Sequence, residues 1–467
     1  MLEQIVSSVN DIVWSPALIV LLIGAGLYFS FRTRFVQVRK VRQMCRLLFK
    51  GGASDENPSG GAKGISSFQA FCVALSGRVG TGNIVGVATA IAMGGPGAVF
   101  WMWVIAFFGA STAFIESTLA QMYKFPHNGQ WCGGPFSYIS KGLHSKALGI
   151  VFALLTILGY GCLLVTVQAN GAASAMHNTL HISPLAGGLI LAVILALVVI
   201  GGLKSISKVA SIVTPFMALG YILISIVVLV TRWDAIPAVF ASIVSNAFGI
   251  NPLCSGILGS TIAMGVKRGL FSNEAGQGGG AIVSASAEVR HPAVQGLVQS
   301  FSVYVDTLLV CTATALMILS SGSFNVFSPA GEMIHAGAPE LGNNYVGFTQ
   351  AAVDSVFSGF GSAFITVALF FFAFTTIMAY CFYAESSIVY LFSLSGKGRK
   401  FRAEKAVTWI YRIILLAAVA FGAAKEANLV WQIGDIGVGL TTWINVIAIL
   451  ILCPQAIKAL KDYESQS

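Results

Sequence analysis

Ser76-Gly77-Arg78-Val79-Gly80-Thr81-Gly82-Asn83-Ile84-Val85-Gly86 is the stretch on which the reading of the fold turns. It lies inside an apolar segment, residues 65–93, that is long enough to cross a bilayer. Four glycines and an arginine in eleven positions break that helix halfway. In hydrocarbon a bare N–H or C=O is costly, so such a break survives only where it lines a cavity inside the protein. A helix stopped at mid-membrane also points bare N–H groups, and the positive end of its dipole, into that cavity. The result suits a small anionic group such as a carboxylate. The plainer reading is close helix packing through small residues. A second break elsewhere in the chain would count against it.

Composition sets the frame. The 467 residues are 56% apolar and 10% charged, with a mean hydropathy of +0.81, which excludes a soluble globular protein. The reading is an all-α polytopic membrane protein of eleven spans, roughly 12–31, 65–93, 97–121, 147–171, 184–202, 208–231, 253–286, 293–319, 359–391, 406–424 and 428–453. The net charge of +9 reflects a positive-inside bias: alternate loops hold 21 Lys and Arg on one side and 2 on the other. This predicts an N-terminus outside and a C-terminus in the cytoplasm. Glu3 and Asp11, with no basic cluster before the first apolar run, predict a retained span instead of a cleaved signal peptide.

Between the spans, loop 32–64 opens basic (Arg32, Arg34, Arg39, Lys40, Arg42, Arg46, Lys50) and turns Gly/Ser-rich, as a segment lying along anionic lipid would. Residues 130–146 and 234–250 are expected as short interfacial helices, and loop 320–347 is long enough to cap one face. Eight cysteines (Cys45, Cys72, Cys132, Cys162, Cys254, Cys311, Cys381, Cys453) are scattered singly and are read as small hydrophobes.

The second break follows. Lys267-Arg268-Gly269-Leu270-Phe271-Ser272-Asn273-Glu274-Ala275-Gly276-Gln277-Gly278-Gly279-Gly280 interrupts the seventh span. Five spans separate the starts of the two broken helices, and five is odd, so the two halves enter the membrane from opposite sides. Paired five-helix repeats of inverted topology, each opening with a broken helix, are the architecture of a secondary transporter with its site at mid-membrane. The predicted boundaries are an N-terminal span and loop, 1–64; a first repeat, 65–232; a connecting segment, 233–252; a second repeat, 253–455; and a tail, 456–467.

No GxxxxGK[ST] motif is present, so a coupling ion is the expected energy source. Thr375 and Thr376 are adjacent hydroxyls in the ninth span, and hydroxyls with unwound carbonyls suit a small hard cation. Threonines in helices also bond back to their own backbone. Gln168 and Asn170 in the fourth span are either headgroup ligands or glue between helices. Arg78, Glu116, Glu274, Asp306, Glu385 and Asp435 lie in or near spans and need partners or a cavity. Arg78 and Glu274 occupy the two breaks, where pairing or gating is expected. An intramembrane enzyme is disfavoured, because the six histidines fall mainly in loops and HExxH is absent. A passive channel fits paired broken helices poorly.

At these residues the chain resembles the sodium:alanine symporters, also called alanine/glycine:cation symporters. The matching stretches are Leu75 to Ile84, Met93-Gly94-Gly95-Pro96-Gly97-Ala98, Gly133-Gly134-Pro135, Gly269 to Gly276, and Phe372-Ala373-Phe374-Thr375-Thr376. The resemblance implies a LeuT-type fold, a 5+5 inverted repeat with one extra N-terminal helix. It implies a substrate carboxylate at Thr81, Gly82 and Asn83, with Gln168 on the headgroup. Phe271, Ser272, Asn273 and Tyr380 would complete the pocket. A sodium ion would lie among Ser76, Val79, Phe372, Thr375 and Thr376. Members of this family usually carry tryptophan where Tyr380 stands, and the smaller, hydroxylated ring leaves room for a larger polar substrate such as glutamine.

The expectation is a sodium-coupled symporter of the inner (plasma) membrane importing a small neutral amino acid by alternating access. It has no organic cofactor and no nucleic-acid partner, and the sequence sets no oligomeric state. The alternatives are a proton-coupled transporter and an amino-acid-sensing membrane receptor.

Overall fold

The two glycine-rich motifs interrupt helices that lie side by side and run in opposite directions. The computed structural model describes residues 2–49, 64–250, 256–394 and 400–466. Lys50, the Gly/Ser-rich stretch up to residue 63, Cys254 and the start of the seventh span lie outside the described residues. In chain order the main helices are α1 (Leu2–Val13), α2 (Pro16–Arg32), α3 (Ser67–Arg78), α4 (Val85–Gly94), α5 (Ala98–Met122), α6 (Lys146–Leu180) and α7 (Pro184–Val199). They continue as α8 (Gly202–Thr231), α9 (Leu258–Asn273), α10 (Gly279–Ser286), α11 (Pro292–Ser321), α12 (Gly361–Ser393), α13 (Lys400–Ala424) and α14 (Ala427–Ser465). Among the described residues, eight helices are long and apolar enough to cross a membrane.

The first interrupted segment is α3 and α4, joined by a single 3-10 turn at Thr81–Asn83. Ser66 starts it with a capping box: its hydroxyl accepts from the Gln69 N–H at 3.1 Å, and the Gln69 side chain accepts from the Ser66 N–H at 3.0 Å. Such a cap contributes about 1 kcal/mol. The second segment is α9 and α10. Its break is shorter than the sequence motif implied: 267–273 remain helical, and only 274–278 are open. Lys267 and Arg268 keep helical backbone because their charges are met by a carboxylate on α14, so the side chains need no unwinding. Gly276 and Gly278 take φ of +91° and +96°, the left-handed region that a side chain resists.

The antiparallel pairing is fixed at both ends. Where α3 begins, the Ile65 N–H donates to the Ser286 carbonyl at 3.0 Å, just past α10, and the Glu288 N–H donates to the Ile65 carbonyl at 2.9 Å. Where α4 ends, the Ser260 and Thr261 hydroxyls at the start of α9 donate to the Met93 and Gly94 carbonyls at 2.6 and 2.7 Å. Each segment thus begins where the other ends.

Around this pair, α5, α11, α6, α12 and α14 form the supporting walls, and large apolar side chains such as Leu197, Phe216 and Ile451 point outward. That surface is stable only in lipid. Several expectations are corrected in detail. Residues 130–146 do not form one helix: Phe125–His127 pairs with Gln130–Cys132 as a strand hairpin, and a helix follows at Pro135–Gly142. Loop 320–347 folds into a second hairpin, Asn325–Phe327 with Met333–Ala336. The first span is preceded by the separate amphipathic α1, with the chain turning at Trp14 and Ser15. Of the described cysteines, Cys45, Cys132 and Cys162 are only partly buried, and all seven are free.

Candidate functional site

Gly80 sits at the centre of the first break, and its empty side-chain position is shared by two neighbours. A Cβ built there would lie 2.6 Å from Thr376 Oγ1 on α12 and 2.7 Å from Gln168 Oε1 on α6. No alanine fits without displacing one of them.

On the α12 side of Gly80, Thr376 Oγ1 donates to the Ser76 carbonyl at 2.7 Å and lies 3.3 Å from the Val79 carbonyl. They stand at the C-terminal end of α3 and just past it, left without helical partners by the break. Thr375 turns differently. Its hydroxyl bonds its own helix, at 2.9 Å to the Phe371 carbonyl and 3.2 Å to the Phe372 carbonyl, and touches Met217 Sδ. The structure therefore brings Ser76, Val79 and Thr376 together directly, with Thr375 and Phe372 one turn apart on the same helix.

On the α6 side, Gln168 Oε1 accepts from both the Thr81 N–H and the Thr81 hydroxyl at 2.9 Å. The Gly80 N–H donates to Asn83 Oδ1 at 2.8 Å. The N–H groups that the break exposes are thus held by amide oxygens. Gly82 is packed against Phe271, whose ring would lie 3.0 Å from a Cβ at that glycine. Asn170 joins no part of this group. Its amide donates to the Gly422 and Lys425 carbonyls, which makes it the glue between α6 and α13.

Ser272 and Asn273 go separate ways. Ser272 Oγ donates to Asp306 Oδ2 at 2.7 Å. Asn273 turns toward Ala275 and Gly109 on α5, while its carbonyl accepts from Arg78 Nε at 2.7 Å. Asp306 is the residue that reading the sequence left without a role. It lies in a widened, π-helical stretch of α11, Tyr304–Cys311. It receives Asn83 Nδ2 at 2.6 Å, Ser272 Oγ at 2.7 Å and Thr307 Oγ1 at 2.7 Å. A lone carboxyl in an apolar span was its only signal.

Two layers close the breaks from opposite sides. Toward the Gly94–Thr261 end, Asp435 on α14 takes a two-pronged bond from Arg268, at 2.9 and 2.7 Å, and Lys267 Nζ at 2.8 Å. The Arg268 guanidinium lies 4.4 Å from the Trp431 ring centre, and the Trp431 ring packs at a tilt against Phe271, centres 4.9 Å apart. The N-terminal segment fastens this layer: Trp14 Nε1 donates to the Asp435 carbonyl at 2.8 Å, and Lys267 reaches Asn10 Oδ1 at 3.3 Å.

Toward the Ile65–Ser286 end, Tyr160, Tyr380 and Tyr383 pack ring against ring at 5.0–5.9 Å. Tyr380 lies between Gln168 and Glu274 and interacts with both. Arg78 and Glu274, each expected to be paired or to act in gating, form no ion pair with each other. Among the described residues no carboxylate lies within 4.0 Å of Arg78, which bonds Asn273, Gln299 and Ser302 instead.

Two antiparallel interrupted helices at the centre of a helical membrane protein define the LeuT-type transporters. The crystal structure of MhsT in complex with L-phenylalanine shares this fold with a TM-score of 0.50, over 85% of this chain and 100% of that one, at 14% sequence identity. The chain belongs to the sodium:alanine symporter family, which it matches over residues 1–467. It is 49% identical over 467 residues to a putative sodium/proton-dependent alanine carrier protein of Bacillus subtilis, covering 100% of this chain and 93% of that one. It is 39% identical over 465 residues to a probable sodium/glutamine symporter of the same organism, covering 100% and 91%. It is a multi-pass membrane transporter and not an enzyme.

Proposed function

We propose that this chain imports a small neutral amino acid, alanine or glycine with glutamine also admitted, by coupling it to sodium entry. One observation carries the reading. Gly80 separates Thr376, at the α3 carbonyls, from Gln168, at the Thr81 N–H, by no more than a missing methyl group. An ion on one side and an amino acid on the other would share one turn of backbone.

In this reading the sodium ion takes the Ser76, Val79 and Phe372 carbonyls with the Thr375 and Thr376 hydroxyls, an oxygen set that suits a hard cation. The substrate carboxylate displaces Gln168 and Asn83 from the break and accepts from the backbone of Thr81, Gly82 and Asn83, with the helix dipole of α4 behind it. Phe271 and Tyr380 bound the side chain, and Ser272 and Asn273 belong to the wall supplied by α9. Tyr380 is smaller than tryptophan and carries a hydroxyl, which favours room for glutamine.

The two interrupted segments and α7, added to the eight long helices, make the eleven spans of the proposed topology. Repeats 65–232 and 253–455 rock against each other about the shared site. The charge asymmetry of the loops puts the Gly94–Thr261 end, with its ionic layer, outside, and the Ile65–Ser286 end, with the tyrosines, inside. The membrane is the cell's inner (plasma) membrane.

The test is uptake of labelled alanine, glycine and glutamine into proteoliposomes under an inward sodium gradient, with potassium substituted as control. Sodium-dependent accumulation is expected. Binding without accumulation under any gradient would replace the carrier with a receptor.

A further inference from the structure

We propose that Glu274 is a proton-carrying site, protonated while the tyrosine layer is shut and able to release its proton to the inner side when that layer opens. This rests on the import cycle proposed above and adds a proton to it.

The argument begins with how poorly Glu274 is supported as an anion. Its side chain is 0% exposed. Oε2 accepts from the Tyr383 hydroxyl at 3.2 Å, Tyr380 also reaches the carboxyl, and Oε1 has no hydrogen-bond partner among the described residues. No Lys, Arg or His lies within 4.0 Å of it among those residues. A buried carboxylate in that condition is disfavoured by several kcal/mol, and taking up a proton removes the cost.

The neighbouring acids differ. Asp306 accepts three side-chain bonds of 2.6–2.7 Å, which hold a negative charge in place. Glu116 on α5 accepts from Asn445 Nδ2 at 2.9 Å on Oε2 and faces the backbone at Gly276 and Gly278, while its Oε1, like that of Glu274, has no hydrogen-bond partner among the described residues. The titratable and charged groups facing Glu274 are Arg78 from α3, Glu116 from α5, Asp306 from α11, Tyr160 from α6, and Tyr380 and Tyr383 from α12. Of the three carboxyls that share Arg78, the least supported is Glu274, which is met by tyrosine hydroxyls alone.

Placement ties that proton to movement. The Glu274 carboxylate lies 3.3 Å from where a Cβ on Gly77 would stand and 2.9 Å from one on Gly279. It therefore bridges α3 and α10, the two inner half-helices. Tyr380 connects it to Gln168 at the amino-acid pocket. The backbone of Glu274 is left-handed, at φ +55°, which costs a side-chain-bearing residue about 1–2 kcal/mol. Glycine would remove that cost, so a carboxyl held there at the helix break points to a use. Separation of α3 from α10 admits water to Glu274, ionises it, and sends the proton inward. Outward opening of the pocket lets the outer solution reload it. No bond other than O–H is made or broken.

The experiment uses the full chain in proteoliposomes loaded with a pH-reporting dye, with sodium equal on both sides and alanine added outside. About one proton is expected to enter per alanine, seen as acidification of the lumen. Glu274→Gln is expected to keep sodium-driven uptake at a reduced rate while losing acidification and any response to an imposed pH gradient; Glu274→Asp is expected to restore acidification in part. Sodium-driven alanine uptake by the unaltered protein with no proton entry would overturn the inference and leave the sodium symporter standing. Full acidification by the Gln variant would overturn it too. Absence of alanine uptake under any gradient would overturn both readings.

Discussion

The two faces of the central break are closed by different chemistry. On the outer face of the proposed orientation one carboxylate, Asp435, holds two cations, and the Trp431 ring centre lies 4.4 Å from the guanidinium. On the inner face three tyrosine rings pack together, two of the contacts edge to face and one tilted, and Tyr383 donates to Glu274 at 3.2 Å. An ionic layer draws its strength from dryness. A pair of unit charges 4 Å apart is worth about 4 kcal/mol in a poorly hydrated site and about 1 kcal/mol in water. Water at Asp435 would weaken that attraction about fourfold. Ring contacts depend less on dryness, and each is worth about 0.5–1.5 kcal/mol beyond the area buried.

The largest effect is expected between the two layers. Gly80→Ala places a methyl group within 2.7 Å of both Thr376 and Gln168, and alanine uptake is expected to fall to background while the protein still purifies as a folded species. Normal uptake would mean that ion and substrate regions are not joined there.

Next comes the outer layer. Asp435→Asn leaves Lys267 and Arg268 side by side without their counter-charge, a loss of about 3–5 kcal/mol. A clear fall in melting temperature and in transport is expected, measured by thermal unfolding and proteoliposome uptake. Tyr383→Phe removes one neutral hydrogen bond and defines the other end of the scale, at about 1 kcal/mol. Equal destabilisation by these two variants would erase the contrast between the faces.

Between those extremes lie two variants at the site. Thr376→Ala is expected to raise the sodium concentration for half-maximal uptake by about tenfold, the worth of one charge-assisted contact of about 1.4 kcal/mol. Thr375→Ala, whose hydroxyl bonds its own helix, should move it less. Tyr380→Trp fills the pocket and is expected to lower glutamine uptake relative to alanine by about tenfold, within the range that pocket size alone achieves. Competition between the two labelled amino acids reads it out.

Much of this arrangement was legible in the sequence because hydrocarbon punishes exceptions. Four glycines around Arg78 in an apolar span read as a break or as close helix packing, the second break at 267–280 favoured the former, and the odd number of intervening spans implied the inversion. Thr376 and Gln168 were singled out, and both meet the break. What stayed hidden was pairing across distance. Asp435 lies 167 residues from Arg268, and Asp306 lies 223 from Asn83, with nothing local to join them. For the same reason the second break seemed to begin at Lys267. Charge in an apolar run reads as unwinding until its partner is seen. Asn273 was expected at the pocket; its side chain accepts from the Ala275 N–H and faces Gly109 on α5.

The shared space at Gly80 has a bearing on leakage. If occupancy on one side of that residue sets the position of the backbone on the other, sodium raises affinity for the amino acid, and the amino acid must raise affinity for sodium by the same factor. A carrier built this way spends little time with one passenger aboard, and so wastes little of its gradient on empty journeys.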